Sequence, residues 1–144
     1  MQPSLDRTKP DVVIVDSNTT VRQLSCRLLE QAGLVVTPLD DLEGLKGVKG
    51  RLGDPPLILL NLSRDPSMVI ELPTYLPPLL RTPRNIVITT VTPALIESFC
   101  PADKPRFFAT LLERPYSPLA LVDLVSHYFP DAEFALEEPD EDEE

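Results

Sequence analysis

The chain should fold as an α/β protein built on a doubly wound, five-stranded parallel sheet with about five helices. Three observations predict this. Short runs rich in β-branched residues recur without polar alternation (VVIV at 12–15, LILL at 57–60, IVITT at 86–90), which marks strands buried on both faces. Segments with apolar residues at helical spacing separate these runs. The 144 residues suffice for one real core and not comfortably for two. Strand and helix alternating in a chain of this size select a parallel sheet covered on both faces.

The polar, proline-containing segment 1–10 is expected to stay flexible ahead of a domain spanning 11–130. After the first strand comes the polar turn Asp16-Ser17-Asn18, and Thr19 or Thr20 can cap the helix that follows. Leu24, Leu28, Leu29 and Ala32 recur at helical spacing, and Gly33 closes the helix from the position after the C-cap. A second strand is predicted over 34–37. A weaker helix should start at Asp40 or Asp41, with Leu42, Leu45, Val48 and Leu52 as its stripe. Gly44, Gly47 and Gly50 weaken it by about 1 kcal/mol each. The third strand ends at Asn61. Over 66–83, Pro73, Pro77, Pro78 and Pro83 allow only a short or broken helix. Pro93 starts a helix through Phe99, and a fifth strand is predicted over 107–112. Ser117-Pro118 supplies a cap and a first-turn proline for a last helix ending at Pro130.

The net charge of −10 belongs to one end. Nine of the 23 acids lie from Asp131 onward with no Lys or Arg among them, which leaves 14 acids against 13 bases before that point. Residues 131–144 are therefore expected to form a disordered acidic tail. Neither part offers the basic footprint of a nucleic-acid binder. No apolar run approaches the roughly 18 residues of a membrane helix, and MQPSLDRTKP lacks the apolar stretch of a secretory leader. A cytoplasmic protein with Cys26 and Cys100 reduced is expected. His127, the sole histidine, has no partner at catalytic spacing.

In doubly wound sheets, ligands bind beyond the C-terminal strand ends. Asp16, Ser17, Asn61, Thr90 and Arg114 all fall at or just after such ends, and they form the candidate site.

Four segments, in order and at matching intervals, resemble the receiver domain of two-component response regulators. VVIVDSNTTVRQLSCRLLEQAG is similar to its first strand, acidic turn and first helix, and LILLNLSRDP to the third strand with its phosphoacceptor. IVITT resembles the fourth strand with its hydroxyl residue, and LLERPYSPLALVDLV the fifth strand with its Lys-Pro step. The resemblance covers about residues 11–130 and implies a flavodoxin-like strand order of 2-1-3-4-5. It also implies a site made of acids around Mg²⁺, a phosphoryl-accepting aspartate, a Thr or Ser, and a Lys.

This chain departs from that pattern. Asp16 matches the first acid, but Ser17 replaces its acidic neighbour. Asn61 stands at the phosphoacceptor position, where an amide offers no comparable nucleophile. Thr90 matches the hydroxyl, Arg114 replaces the Lys ahead of Pro115, and Leu111 takes the place of a switching aromatic. Ser63 and Asp65 are not expected to face the cavity. Arg114 is expected to reach Asp16 or the Asn61 amide oxygen and fill the space of metal and phosphate.

These departures imply a degenerate receiver without enzymatic activity, with no cofactor and weak or absent Mg²⁺ binding. It would act as a protein–protein adaptor in bacterial signalling. Its partners would be other signalling proteins, or a second copy of itself through the face of the fourth helix, fifth strand and fifth helix, with neither nucleic acid nor membrane. The alternatives are a receiver that a histidine kinase still phosphorylates, or a small-molecule sensor using the pocket at the strand ends.

Overall fold

The computed structural model describes residues 10–48, 55–100, 103 and 106–134. Five parallel strands pair in the order β2-β1-β3-β4-β5, which is the predicted fold: β1 Val12–Val15, β2 Val36–Leu39, β3 Leu57–Asn61, β4 Ile86–Thr90 and β5 Thr110–Glu113. Helical connections follow every strand: α1 Thr19–Glu30, a 3-10 segment Leu42–Gly47, a broken run containing α2 Leu72–Tyr75, α3 Pro93–Ser98, and α4 Pro118–Ser126.

Strand periodicity explains the three layers. Val12 and Ile14 point to one face with Leu57, Leu59 and Val87, where Cys26 and Leu29 of α1 and Leu121 and Val125 of α4 cover them. Val13 and Val15 point the other way with Ile58, Leu60, Ile86 and Ile88, under Leu45, Val69, Leu72 and Ile96.

Several local expectations need correcting. Asn18, not Thr19 or Thr20, caps α1, its side chain accepting from the Val21 N–H at 3.0 Å. Leu24 lies in the predicted stripe yet is 57% exposed, while Ser25 and Cys26 are buried. The second strand begins two residues late because the Asp11 carboxylate takes the Val35 N–H at 2.7 Å. It then runs through Pro38, which β2 tolerates as an edge strand. The second helix is only a six-residue 3-10 segment, with Leu45 fully buried. A Cβ on Gly44 would stand 2.9 Å from the Leu39 side chain, so glycine permits the close approach of this segment to β2. Leu52 and Gly50 lie outside the described residues. Prolines break the 66–85 connection into 3-10 and α pieces, as expected. The fifth strand is displaced to Thr110–Glu113, since Phe108 turns into the core ahead of it.

At the two ends, Pro10 is buried, and Phe134 packs against the α1–α4 cluster. Packed chain therefore extends slightly past both limits drawn at 11 and 130. Residues 1–9 and 135–144 lie outside the described residues.

Two outcomes follow from this packing. Ser117 Oγ accepts the Ala120 N–H at 3.0 Å at the start of α4. Ser117→Ala should therefore cost about 1 kcal/mol, read from the urea midpoint at unchanged slope. Burial raises the Cys26 thiol to about 11, with Glu30 adding to the effect. A shift of two pH units leaves roughly 100-fold less thiolate at neutral pH than an ordinary thiol carries. A disulfide reagent at pH 7.5 should modify half-exposed Cys100 first and Cys26 at least about tenfold more slowly, with denaturant removing the difference.

Candidate site at the strand ends

Parallel register sets the site. Val15 pairs with Leu60, and Asn61 with Thr89, so β1 and β3 deliver Asp16 and Asn61 side by side just beyond the ladder. Thr90 pairs with Glu113, which places Arg114 at the end of the neighbouring strand. The Arg114 N–H donates to the Thr90 carbonyl at 2.8 Å, and the Arg114–Pro115 peptide is cis.

Asp16 is the hub. Its side chain is 2% exposed, and Arg114 Nη1 meets its Oδ2 at 2.6 Å from a side chain only 11% exposed. Its Oδ1 accepts the Asn18 N–H at 2.9 Å and the Asn61 amide Nδ2 at 3.2 Å. Arg22 Nη1 donates to the Asp16 carbonyl at 2.7 Å. Of the two expected destinations for Arg114, the structure places it on Asp16. The Asn61 oxygen instead accepts from Ser63, from its N–H at 3.1 Å and its hydroxyl at 2.7 Å.

Ser63 is thus a site residue that the sequence reading set aside. Its Oγ also accepts the Val91 N–H at 3.2 Å, tying the turn after β3 to the turn after β4. Thr90 is fully buried, and its hydroxyl is committed to Thr92, whose N–H it accepts at 3.0 Å. Ser17 is exposed at the cavity edge. Leu111 is half-buried and packs against the sheet face that holds Ile88. Tyr116 is a further unforeseen contributor. Its ring lies 5.7 Å from the Arg114 guanidinium carbon, its hydroxyl is 3.3 Å from Ser25 Oγ, and burial raises its pKa.

Arg114, Asn61 and Asn18 therefore surround the one carboxylate at the centre of the cluster. A hard divalent cation needs several oxygen donors converging on one point. Here a guanidinium and two N–H donors converge instead, so these residues do not fit Mg²⁺. Among the described residues, no three His, Cys, Asp or Glu side chains gather closely enough to hold a metal ion. Beside the cluster opens a cavity of about 340 Å³ over the ends of β1, β2 and β3. Asp65, not expected to face this space, lines it. Among the described residues, no helix is long and apolar enough to cross a membrane.

No protein-family model and no curated protein matches the sequence. Solved structures do match the fold. A response regulator receiver protein from Burkholderia phymatum superposes with a TM-score of 0.57 at 19% identity, over 89% of this chain and 100% of that one. The receiver domain of NtrX from Brucella abortus gives 0.56 at 15% identity, over 84% and 99%. A CheY-like receiver domain protein from Methanospirillum hungatei JF-1 gives 0.54 at 18%, over 83% and 94%. At these identities the likeness establishes the receiver fold, and function rests on the site.

Proposed function

We propose that this chain is a pseudo-receiver, a receiver-fold module that works without phosphorylation by docking other proteins in bacterial signal transduction. The Asp16–Arg114 ion pair carries this reading. At 2.6 Å, between side chains that are 2% and 11% exposed, it fills the place where metal and phosphate chemistry would need open carboxylates. The amide of Asn61 at the end of β3 supports it, because an acyl phosphate requires a carboxylate nucleophile.

On this reading the protein is not an enzyme, needs no cofactor and resides in the cytoplasm. Its docking surface would be the face of α3, β5 and α4, where Leu95 is 44% and Leu119 65% exposed. A second copy or another signalling protein would meet it there, with no role for nucleic acid or membrane.

The test is a titration with Mg²⁺ and beryllofluoride, following backbone amide shifts at Asp16, Asn61, Thr90 and Arg114. The expected result is no saturable change. Saturable shifts spreading into β5 and α4 would replace this reading with a phosphorylatable receiver, for which the retained Asp16 and Thr90 would be the observation in favour.

A further inference from the structure

The cavity beside the Asp16 cluster carries side chains that the ion pair does not engage. Its lining includes the apolar Val15, Leu42, Leu62 and Met68 and the Tyr75 ring, next to Asp16, Ser17 and Asn61 of the cluster. Asp40, Asp41, Glu43 and Asp65 also line it, against Arg64 as the one cation of the lining among the described residues, with Lys46 on Glu43 at 3.3 Å beside it. Asp16 also contributes, but Arg114 already neutralises it. No ion pair engages Asp40 or Asp41 among the described residues. Among the described residues the acids of the mouth thus outnumber the cations, and apolar side chains make up much of the rest of the lining.

An inorganic cation is a poor occupant, because the carboxylates line the rim without converging. An anion is worse. The pairing of a negative mouth with an aromatic and thioether interior suits a cation that carries apolar surface. The chain itself supplies a second, independent sign of that preference. Lys46 holds its ammonium 5.4 Å from the centroid of the Tyr75 ring while contacting Glu43 at 3.3 Å. The Tyr75 face and the Glu43 carboxylate already cooperate on an alkylammonium at the cavity's edge. At about 340 Å³ the cavity lies in the range of small-ligand pockets.

We propose that this cavity binds a small organic cation, an ammonium or guanidinium on an apolar stem, with its charge among Asp40, Asp41 and Glu43. The stem would lie over Met68 and against Tyr75. This goes beyond the pseudo-receiver reading: Asp16, Ser17 and Asn61 border the same cavity, but the groups that would hold the ligand are others, and the Arg114 latch stays closed beside it. The same chemistry could arrive on a free amine or on a Lys or Arg side chain of a protein, so the test carries both.

Phenethylamine, agmatine and a short lysine-containing peptide would each be titrated into the full chain. The readouts are the Met68 methyl and Tyr75 ring signals, with 2-phenylethanol as the neutral control. Saturable shifts are expected with a Kd below about 1 mM for at least one cation, and at least tenfold weaker for the alcohol. Tighter binding of the free amine than of the peptide assigns a metabolite, and the reverse assigns a partner side chain.

Asp40→Asn with Asp41→Asn should weaken binding about tenfold without unfolding the chain, since both residues are exposed. Lys46→Met should strengthen it, because the resident ammonium no longer competes for Tyr75. Equal affinity for the alcohol, or no saturable shift at Met68 and Tyr75 with any cation, would overturn the proposal. Neither result touches the beryllofluoride outcome, which can be read at Thr90 and Arg114, outside the cavity lining.

Discussion

Arg114→Ala should cost the fold about 3 kcal/mol. The substitution leaves the Asp16 carboxylate buried without its counter-ion, and breaking a buried pair from one side typically costs 3–5 kcal/mol. The lower end applies because the Asn18 N–H and the Asn61 amide continue to donate to Asp16. Replacing both partners is a different experiment. Asp16→Asn combined with Arg114→Met removes both charges, and the double variant should be markedly more stable than Arg114→Ala alone. The difference is the coupling that a double-mutant cycle isolates. Arg114→Lys should fall between, since an ammonium can reach one carboxylate oxygen but does not keep the guanidinium over the Tyr116 ring. Urea unfolding at neutral pH measures all of these. A loss below about 1 kcal/mol for Arg114→Ala would mean that water satisfies Asp16 as well as the guanidinium does, and the latch would lose its structural role.

Asn61→Asp should have the next largest effect, and it tests the same cluster from the other side. The wild-type amide donates to Asp16 Oδ1 at 3.2 Å. A carboxylate there removes that hydrogen bond and sets a second negative charge against the first, with Arg114 able to neutralise only one. The contacts from Ser63 survive, because either residue presents an acceptor to its N–H and hydroxyl. The expected loss is about 2 kcal/mol in metal-free buffer. Millimolar Mg²⁺ should return part of it, since the variant presents two adjacent carboxylates, while the wild-type midpoint should not move. A variant as stable as wild type without metal would show that the amide donor at position 61 is dispensable.

Both variants act at positions that the strand pattern of the sequence locates. Strands β1, β3 and β4 announce themselves because each is an unbroken apolar run, and their ends fix where Asp16, Asn61 and Thr90 must lie. The helical segments were harder to orient. In α1 the spacing of Leu24, Leu28 and Leu29 defines a stripe about 140° wide, and the sequence does not say which edge of it turns inward. The contact with α4 draws Ser25 and Cys26 in and leaves Leu24 in solvent.

The start of the edge strand β5 is hard to read from sequence for a related reason. Phe107 and Phe108 have strand composition, but pairing to β4 starts only near Ala109, whose N–H meets the Ile86 carbonyl at 2.7 Å. At the site, side chains carried by strand ends were legible, and those carried by turns were not. Ser63 reaches the Asn61 amide only because the chain bends back after Leu62, a loop conformation with no periodic signature. Arg22 and Tyr116 join the cluster through the docking of α1 and of the turn before α4, which is a tertiary fact.

The ion pair at the hub joins residues 98 positions apart. A ribosome delivers Asp16 early and Arg114 only after four strands have left the exit tunnel. Until the fifth strand arrives, a nascent sheet must either keep its first strand end open to water or bury a carboxylate with no counter-charge. Closure of the strand ends is thereby tied to completion of the sheet, and a truncated or cleaved chain ending before Arg114 carries an electrostatic defect at its centre. The pair thus couples the chemistry of the first strand end to the arrival of the last strand, and a finished domain differs from an unfinished one in having that charge neutralised.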